Sequence, residues 1–396
     1  MVTGSRRRKR GVPIVAILLV LLGLLPLIKV TQASLSGPPS DDRQAAAVRA
    51  LDEAIADGAD GDMQQLFPEG SFFLHVLTGI AAARSNTPDG PDRARAHLAR
   101  TTSPAELARF GTGMESPHGI FADGWNLYLA ATIAQRTNDP ADRQRVTELA
   151  EPVAAALADA DSPFLQSYPG QAWPCDSVVA VAALAQSARI SGEASGRDWL
   201  AVVNDWRSAA MTELDPGTGL LPHRTAPNVV GPQGSSQAII QTFWPDIVAA
   251  TGVTEDDQWR RFVDTFVTRE YGLVGVREFP HGVDGEGDVD SGPLIAGVSA
   301  SASAVTLAAA HRNGDQRLAS TLDREAELLG LRPPFGTRYA LGQMPIGDAF
   351  LAFAHSAPRS EPYAPLPQSP SPLWWVFAGL CLVPVGLGVW LAVRRL

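Results

Sequence analysis

Residues 167–177, SYPGQAWPCDS, run directly into VVAVAALAQSARI (178–190), and this junction decides the fold. A polar, aromatic link opens a run of small apolar residues, which predicts a buried helix near 175–191. A charged amphipathic helix is predicted before it, near 142–158. The same couple recurs along the chain. Charge-bearing helices are expected near 42–57, 91–101, 142–158, 197–212, 256–268 and 315–330. Each precedes a more apolar helix, near 70–84, 119–136, 175–191, 235–250, 292–312 and 346–355. Strand-like alternation is scarce. The apolar members return about every 50–60 residues, the period of helix-hairpin arrays.

Six hairpins between residues 41 and 356 predict an all-α fold, an (α/α)6 toroid with charged helices outside and apolar ones inside. An open solenoid competes. Its repeats normally resemble one another and end in polar caps, and neither feature is evident here. In a toroid the six links that enter the inner helices open onto one mouth, where a site is expected. Those links include MQQLFPEGSFF (63–73), GTGMESPHGIFADGW (111–125), GLLPHRTAPNVVGPQGSSQ (219–237), REFPHGVDGEGDVDSGP (277–293) and TRYALGQMPIGD (337–348).

The ends differ from the middle. A basic tail, residues 1–10, precedes an apolar run within 11–30, and a second apolar run covers 373–393 before Arg394 and Arg395. The runs, of roughly 17 and 21 residues, are long enough to span a bilayer. Clustered cations outside each run point both termini to the cytoplasm and the main domain to the extracytoplasmic side. The first run also reads as a signal peptide cleaved near Thr31-Gln32-Ala33. Residues 357–372 form a proline-rich stalk.

Charge narrows the partners. Setting aside eight flanking cations leaves 24 arginines against 42 acids, about −18 for the ectodomain. Such a surface repels nucleic acid. The ectodomain has no lysine, which excludes Schiff-base chemistry there. Only Cys175 lies outside the terminal runs, so neither an internal disulfide nor a multi-thiolate zinc site is available to it.

The acidic fifth link carries the strongest chemical signal. Asp284, Glu286 and Asp288 alternate as in a calcium loop, but Val289 and Ile295 stand where that loop needs Gly and Glu. Ser291-Gly292-Pro293 reads as a helix start, which places Asp290 beside the positive helix end as a base or as a simple cap. Glu69, Glu115, Asp176 and Glu278 belong to links facing the same mouth. Cys175 opens its helix as a dipole-activated thiol or a buried structural one. Tyr168 and Trp173 read as an aromatic wall or as core. His118, His223 and His281 each precede an inner helix without metal-ligand spacing, and His223 beside Arg224 is the best placed for acid/base work. Gln237 reads as a substrate contact or a capping residue.

WPCDSVVAVAAL (173–184), GLLPHRTAPNVVGPQGSSQAIIQTFW (219–244), and GVREFPHGVDGEGDVDSGP (275–293) with AAAHRNGDQRLAS (308–320) resemble the linalool dehydratase/isomerase family, within the six-hairpin toroid superfamily. The resemblance implies the toroid and an active site with two cysteines and a histidine. Cys175 matches one thiol. Gln166 falls about where the other would be, and Asp123 and Trp125 fall near the histidine position.

The expectation is therefore a membrane-anchored hydrolase or lyase acting on a glycan or small polar molecule, with no cofactor and no metal. Asp290 and Asp288 are expected as base or stabiliser, and Glu278, Glu115 or Asp176 as proton donor. Arg277, Arg224, Tyr168, Trp173 and Trp125 are expected around the substrate. Dehydratase/isomerase chemistry and a non-catalytic envelope scaffold are the other readings.

Overall fold

The computed structural model describes residues 11–37, 39–191, 198–270, 272–289, 291–330, 336–360 and 372–394. The 1–10 tail, most of the stalk, Arg395, Leu396 and Asp290 lie outside them.

Helix α1 (Gly11–Leu35) precedes the domain. The first hairpin pairs α2 (Asp41–Ala56) with α4 (Gly70–Arg84), with α3 (Ala59–Leu66) in its link. The second pairs α5 (Gly90–Thr101) with α7 (Gly119–Thr137), with the one-turn α6 (Pro104–Leu107) between them. The third is α8 (Pro140–Asp159) with α9 (Pro174–Ser191), and the fourth α10 (Trp199–Ala210) with α11 (Gly234–Thr251). In the fifth, α12 (Gln258–Phe266) reaches α13 (Ala300–Arg312) through strands β1 (Val267–Glu270), β2 (Leu273–Arg277) and β3 (Val298–Ser299). The sixth is α14 (Gln316–Leu329) with α15 (Pro345–Ser356), and α16 (Pro372–Val393) ends the chain.

The inner helices close a ring. α4 packs on α7, α7 on α9, α9 on α11, α11 on α13, α13 on α15, and α15 returns to α4. The outer helices α2, α5, α8 and α10 pack on their own inner partners, whereas α12 lies against α11 and α14 against α13, and α2 also touches α15. The protein is an (α/α)6 toroid, and the contact of α15 with α4 excludes the open solenoid.

Small residues make the ring possible. A Cβ built on Gly124 of α7 would lie 2.8 Å from the Ala180 Cβ of α9, so these two axes approach only because position 124 is glycine. Along α4 every residue from Leu74 to Ala83 is buried, as is every residue from Gly124 to Ala134 in α7. Each large apolar side chain so buried contributes about 1.5–3 kcal/mol. No disulfide assists, because Cys175 and Cys381 are both free.

The fifth hairpin departs from expectation. The sequence places a helix start at Ser291-Gly292-Pro293, but α13 begins at Ala300, capped by Ser299 Oγ. Ser291 instead closes a turn, its N–H donating to Asp288 Oδ1 at 2.9 Å. Ala296 (φ 51°) and Gly297 (φ 78°) then reverse the chain in the left-handed region. That reversal lets β3 pair with β2, Val276 opposite Ser299 and Arg277 opposite Val298. The resulting three-stranded antiparallel sheet, in the order β1-β2-β3, lies at the mouth end of α13 and α14.

Segments Ile14–Leu35 and Pro372–Val393 are each long and apolar enough to cross a membrane. α1 and α16 pack antiparallel, with Gly23 against the Cys381 backbone and Gly388 against Ala16. Small residues at such crossings let helix backbones approach closely in lipid.

Candidate functional site at the toroid mouth

Four inner helices, α4, α7, α11 and α15, begin at Glu69, His118, Gln233 and Met344 without a side-chain cap bond. Their N-terminal N–H groups converge on the mouth, and carboxylates answer that positive charge. Asp123 accepts from the His118 N–H at 3.0 Å and pairs with the His118 ring at 2.9 Å. Asp176 stands in the first turn of α9, accepting from Ser167 Oγ at 2.6 Å. Glu278 reaches from the fifth link onto α11, accepting from Ser235 N at 3.2 Å and Ser235 Oγ at 2.7 Å. Part of the mouth's acidity therefore holds the fold.

An aromatic wall stands on one side. The Tyr168 ring is stacked on Phe121 at 6.2 Å and meets Trp173 edge-on at 5.9 Å. The Tyr168 hydroxyl donates a short hydrogen bond to Glu69, joining links one and three across 99 residues. Tyr168, Trp173 and Glu69 are half-buried. Beside them, Cys175 is half-buried with its Sγ 3.7 Å from Asp176 Oδ1.

The fourth link lies opposite the first in the ring, and it carries His223. This imidazole is only 6% exposed, and its Nδ1 has no hydrogen-bond partner. Burial pulls its pKa down to about 4. Nearby Arg224 adds to the shift and Asp288 opposes it. At neutral pH the ring is an uncharged proton acceptor, with the exposed Asp288 within electrostatic reach. The 223–230 strip is held by pairing between Arg224 and Val230, and Ala226 is tied to Ala172 of the third link.

Several expected contacts take other positions. Trp125 is 1% exposed and packed edge-on against Phe73 and Phe243, so it belongs to the core rather than a substrate surface. Gln237 is fully buried, its amide donating to Leu221 O at 2.6 Å to fix the fourth link. Arg277 is engaged within its own link, donating to Val283 O at 2.9 Å and Asp284 at 3.0 Å, so it holds the acidic loop instead of a substrate. Glu278, 1% exposed, caps α11 and is not placed as a donor to a substrate. Glu115 is exposed and receives two bonds of 3.2 Å from Gln166. Arg224 is half-buried and binds Asn228 at 2.9 Å.

One acid escaped the sequence reading. Asp348, in the first turn of α15, is 6% exposed, and burial raises its pKa against the opposing Tyr339 N–H and Arg338. The only sequence signal was an Asp in the first turn of an inner helix, a pattern shared with plain caps.

Among the described residues, no three His, Cys, Asp or Glu side chains are grouped as a metal-ligand set. No protein-family model matches the sequence, and no curated protein matches it. Among solved structures, the chain is similar to cellobiose 2-epimerase from Bacillus thermoamylovorans B4167, at 12% identity and a TM-score of 0.39. The match covers 50% of this chain and 61% of that enzyme, less than two thirds of the enzyme's length.

Proposed function

We propose that the protein is a membrane-anchored acid/base enzyme acting outside the membrane on a glycan or similarly hydroxyl-rich molecule, by hydrolysis or elimination. The observation that carries this reading is His223, buried at the mouth, uncharged, lacking a partner on Nδ1 and within electrostatic reach of the Asp288 carboxylate. A neutral imidazole accepts a proton, and the nearby carboxylate stabilises the imidazolium that results. Glu69 of link one, opposite link four in the ring, accepts from Tyr168 of link three, and Tyr168 and Trp173 offer faces on which a sugar ring stacks. Arginine and lysine clustered beyond the outer ends of α1 and α16 support a cytoplasmic position for those ends and an outside position for the toroid.

Incubating the full chain with aryl glycosides and oligosaccharides in deuterated water tests this directly. Hydrolysis releases the aglycone, whereas elimination leaves an unsaturated sugar. His223→Gln should lower turnover by roughly 10²-fold or more with thermal unfolding unchanged. Full turnover in His223→Gln and Asp288→Asn together would overturn the reading.

Cys175 beside Asp176 favours a second reading, chemistry of the linalool dehydratase/isomerase kind. Against it, Gln166 falls about where the other thiol would be and hydrogen-bonds Glu115. Cys175→Ser separates the two. It should leave glycan turnover within a few-fold under the first reading and abolish activity under the second.

A further inference from the structure

The path of the terminal helices fixes which way the mouth faces. Outer helices end, and inner helices begin, at the mouth, so α14 runs toward it. α1 runs the opposite way along α14: Ser36 O accepts from Arg324, and Gln32 donates to Glu327 one turn further on. Val30, Ala33, Trp374 and Ala378 then gather with Leu27 around Leu328, at the end of α14, and Leu273 of β2. The apolar remainder of α1, paired with α16, continues past the mouth end of the toroid.

Exposed apolar side chains show the same polarity. Among the described residues outside α1 and α16, nine large hydrophobic side chains are exposed, and all but Leu200 lie on links or helix ends at the mouth. Ile295 is 79% exposed, Val229 72% and Leu341 65%, with Met344, Val283 and Val289 beside them on links five and six. Apolar groups clustered on one rim, next to helices that enter a membrane, match the hydrocarbon boundary rather than water. The strong acidity of the domain makes this an apolar seat and not an attraction to anionic headgroups.

We propose that the mouth opens onto the bilayer surface and takes the polar head of a membrane-embedded amphiphile, a glycolipid-type substrate. Rim residues on links four, five and six rest in the interface, and the head enters the ring between the Tyr168–Glu69 and His223–Asp288 sides. This substrate class rests on the acid/base reading above, whereas the orientation does not.

Two measurements on the full chain in phosphatidylcholine vesicles separate them. With Cys175 and Cys381 replaced by Ser, a fluorophore is attached at Ile295→Cys, Leu341→Cys or Leu200→Cys and exposed to brominated phosphatidylcholine. Quenching at 295 and 341 but not at 200 is expected. Equal quenching at all three, or none at the rim, overturns the orientation. Binding of a glucosyl diacylglycerol in the same vesicles is then compared with methyl glucoside in solution. The lipid-borne head should bind about tenfold tighter or more, because the seated rim holds the mouth at the head groups and raises their effective concentration there. Ile295→Asp with Leu341→Asp should erase that advantage while leaving methyl glucoside binding unchanged. Equal binding of both sugars overturns the amphiphile. Failure of both with the rim still quenched overturns the substrate class together with the glycan reading, and leaves the orientation standing.

Discussion

His223 joins a titration that governs stability to the acid/base chemistry proposed for the mouth. Its pKa of about 4 lies below the unfolded value, as do those of His75 and His311, all three lowered chiefly by burial. The unfolded chain therefore binds these protons first. Stability should be full above about pH 6.5 and fall as acid approaches pH 4, by up to roughly 1.4 kcal/mol per pH unit for each histidine. Urea unfolding of the full chain in detergent at pH 7 and pH 5 measures the slope, and His223→Gln should reduce it. A slope unchanged in that variant would show that His223 titrates normally. The sequence made His223 visible because it precedes an inner helix beside Arg224. Nothing in it separated Arg277 from Arg224, because the bonds that occupy Arg277 come from a loop conformation that no local spacing specifies. Trp125 was expected near the site because it falls near the position where the resemblance puts a histidine, and the turn of α7 carrying it points it into the core.

At the scale of elements, the sheet over the fifth hairpin is where pattern reading failed. Runs of four, five and two residues are too short to show alternation, and β3 exists only because Ala296 and Gly297 reverse the chain. Its mooring is a buried acid. Glu325 of α14 accepts from Val274 N at 2.7 Å, and burial pushes its pKa up to about 8. The folded state thus holds a proton that the unfolded chain releases near pH 4.5, and stability falls as pH rises between those values. Glu325→Gln keeps the acceptor and removes the titration, so it should stabilise the full chain at pH 8 by on the order of 2 kcal/mol and leave pH 5 nearly unchanged. Equal effects at both pH values would contradict that assignment. The inner helices were legible for the converse reason, since long runs of small apolar residues have few other uses. Gly124→Val should cost about 1–3 kcal/mol by forcing α7 away from α9, read as a lowered denaturant midpoint.

On the scale of the whole molecule, six hairpins at a regular period announced the toroid, but closure depended on α15 meeting α4, a contact between residues far apart in sequence. The direction of the mouth was not legible at all. The direction proposed for it rests on α1 running back along α14, where Gln32 donates to Glu327 across 295 residues. The proposed enzyme is a ring with an acid/base mouth and a bilayer beneath it. Its most direct test incubates wild-type and His223→Gln full chain in vesicles made from lipids of the native membrane, with head groups followed by mass spectrometry. The wild type should cleave the head of a glycolipid, by hydrolysis or by elimination, while His223→Gln leaves it intact. The same change with both proteins, or none with the wild type, would contradict the account.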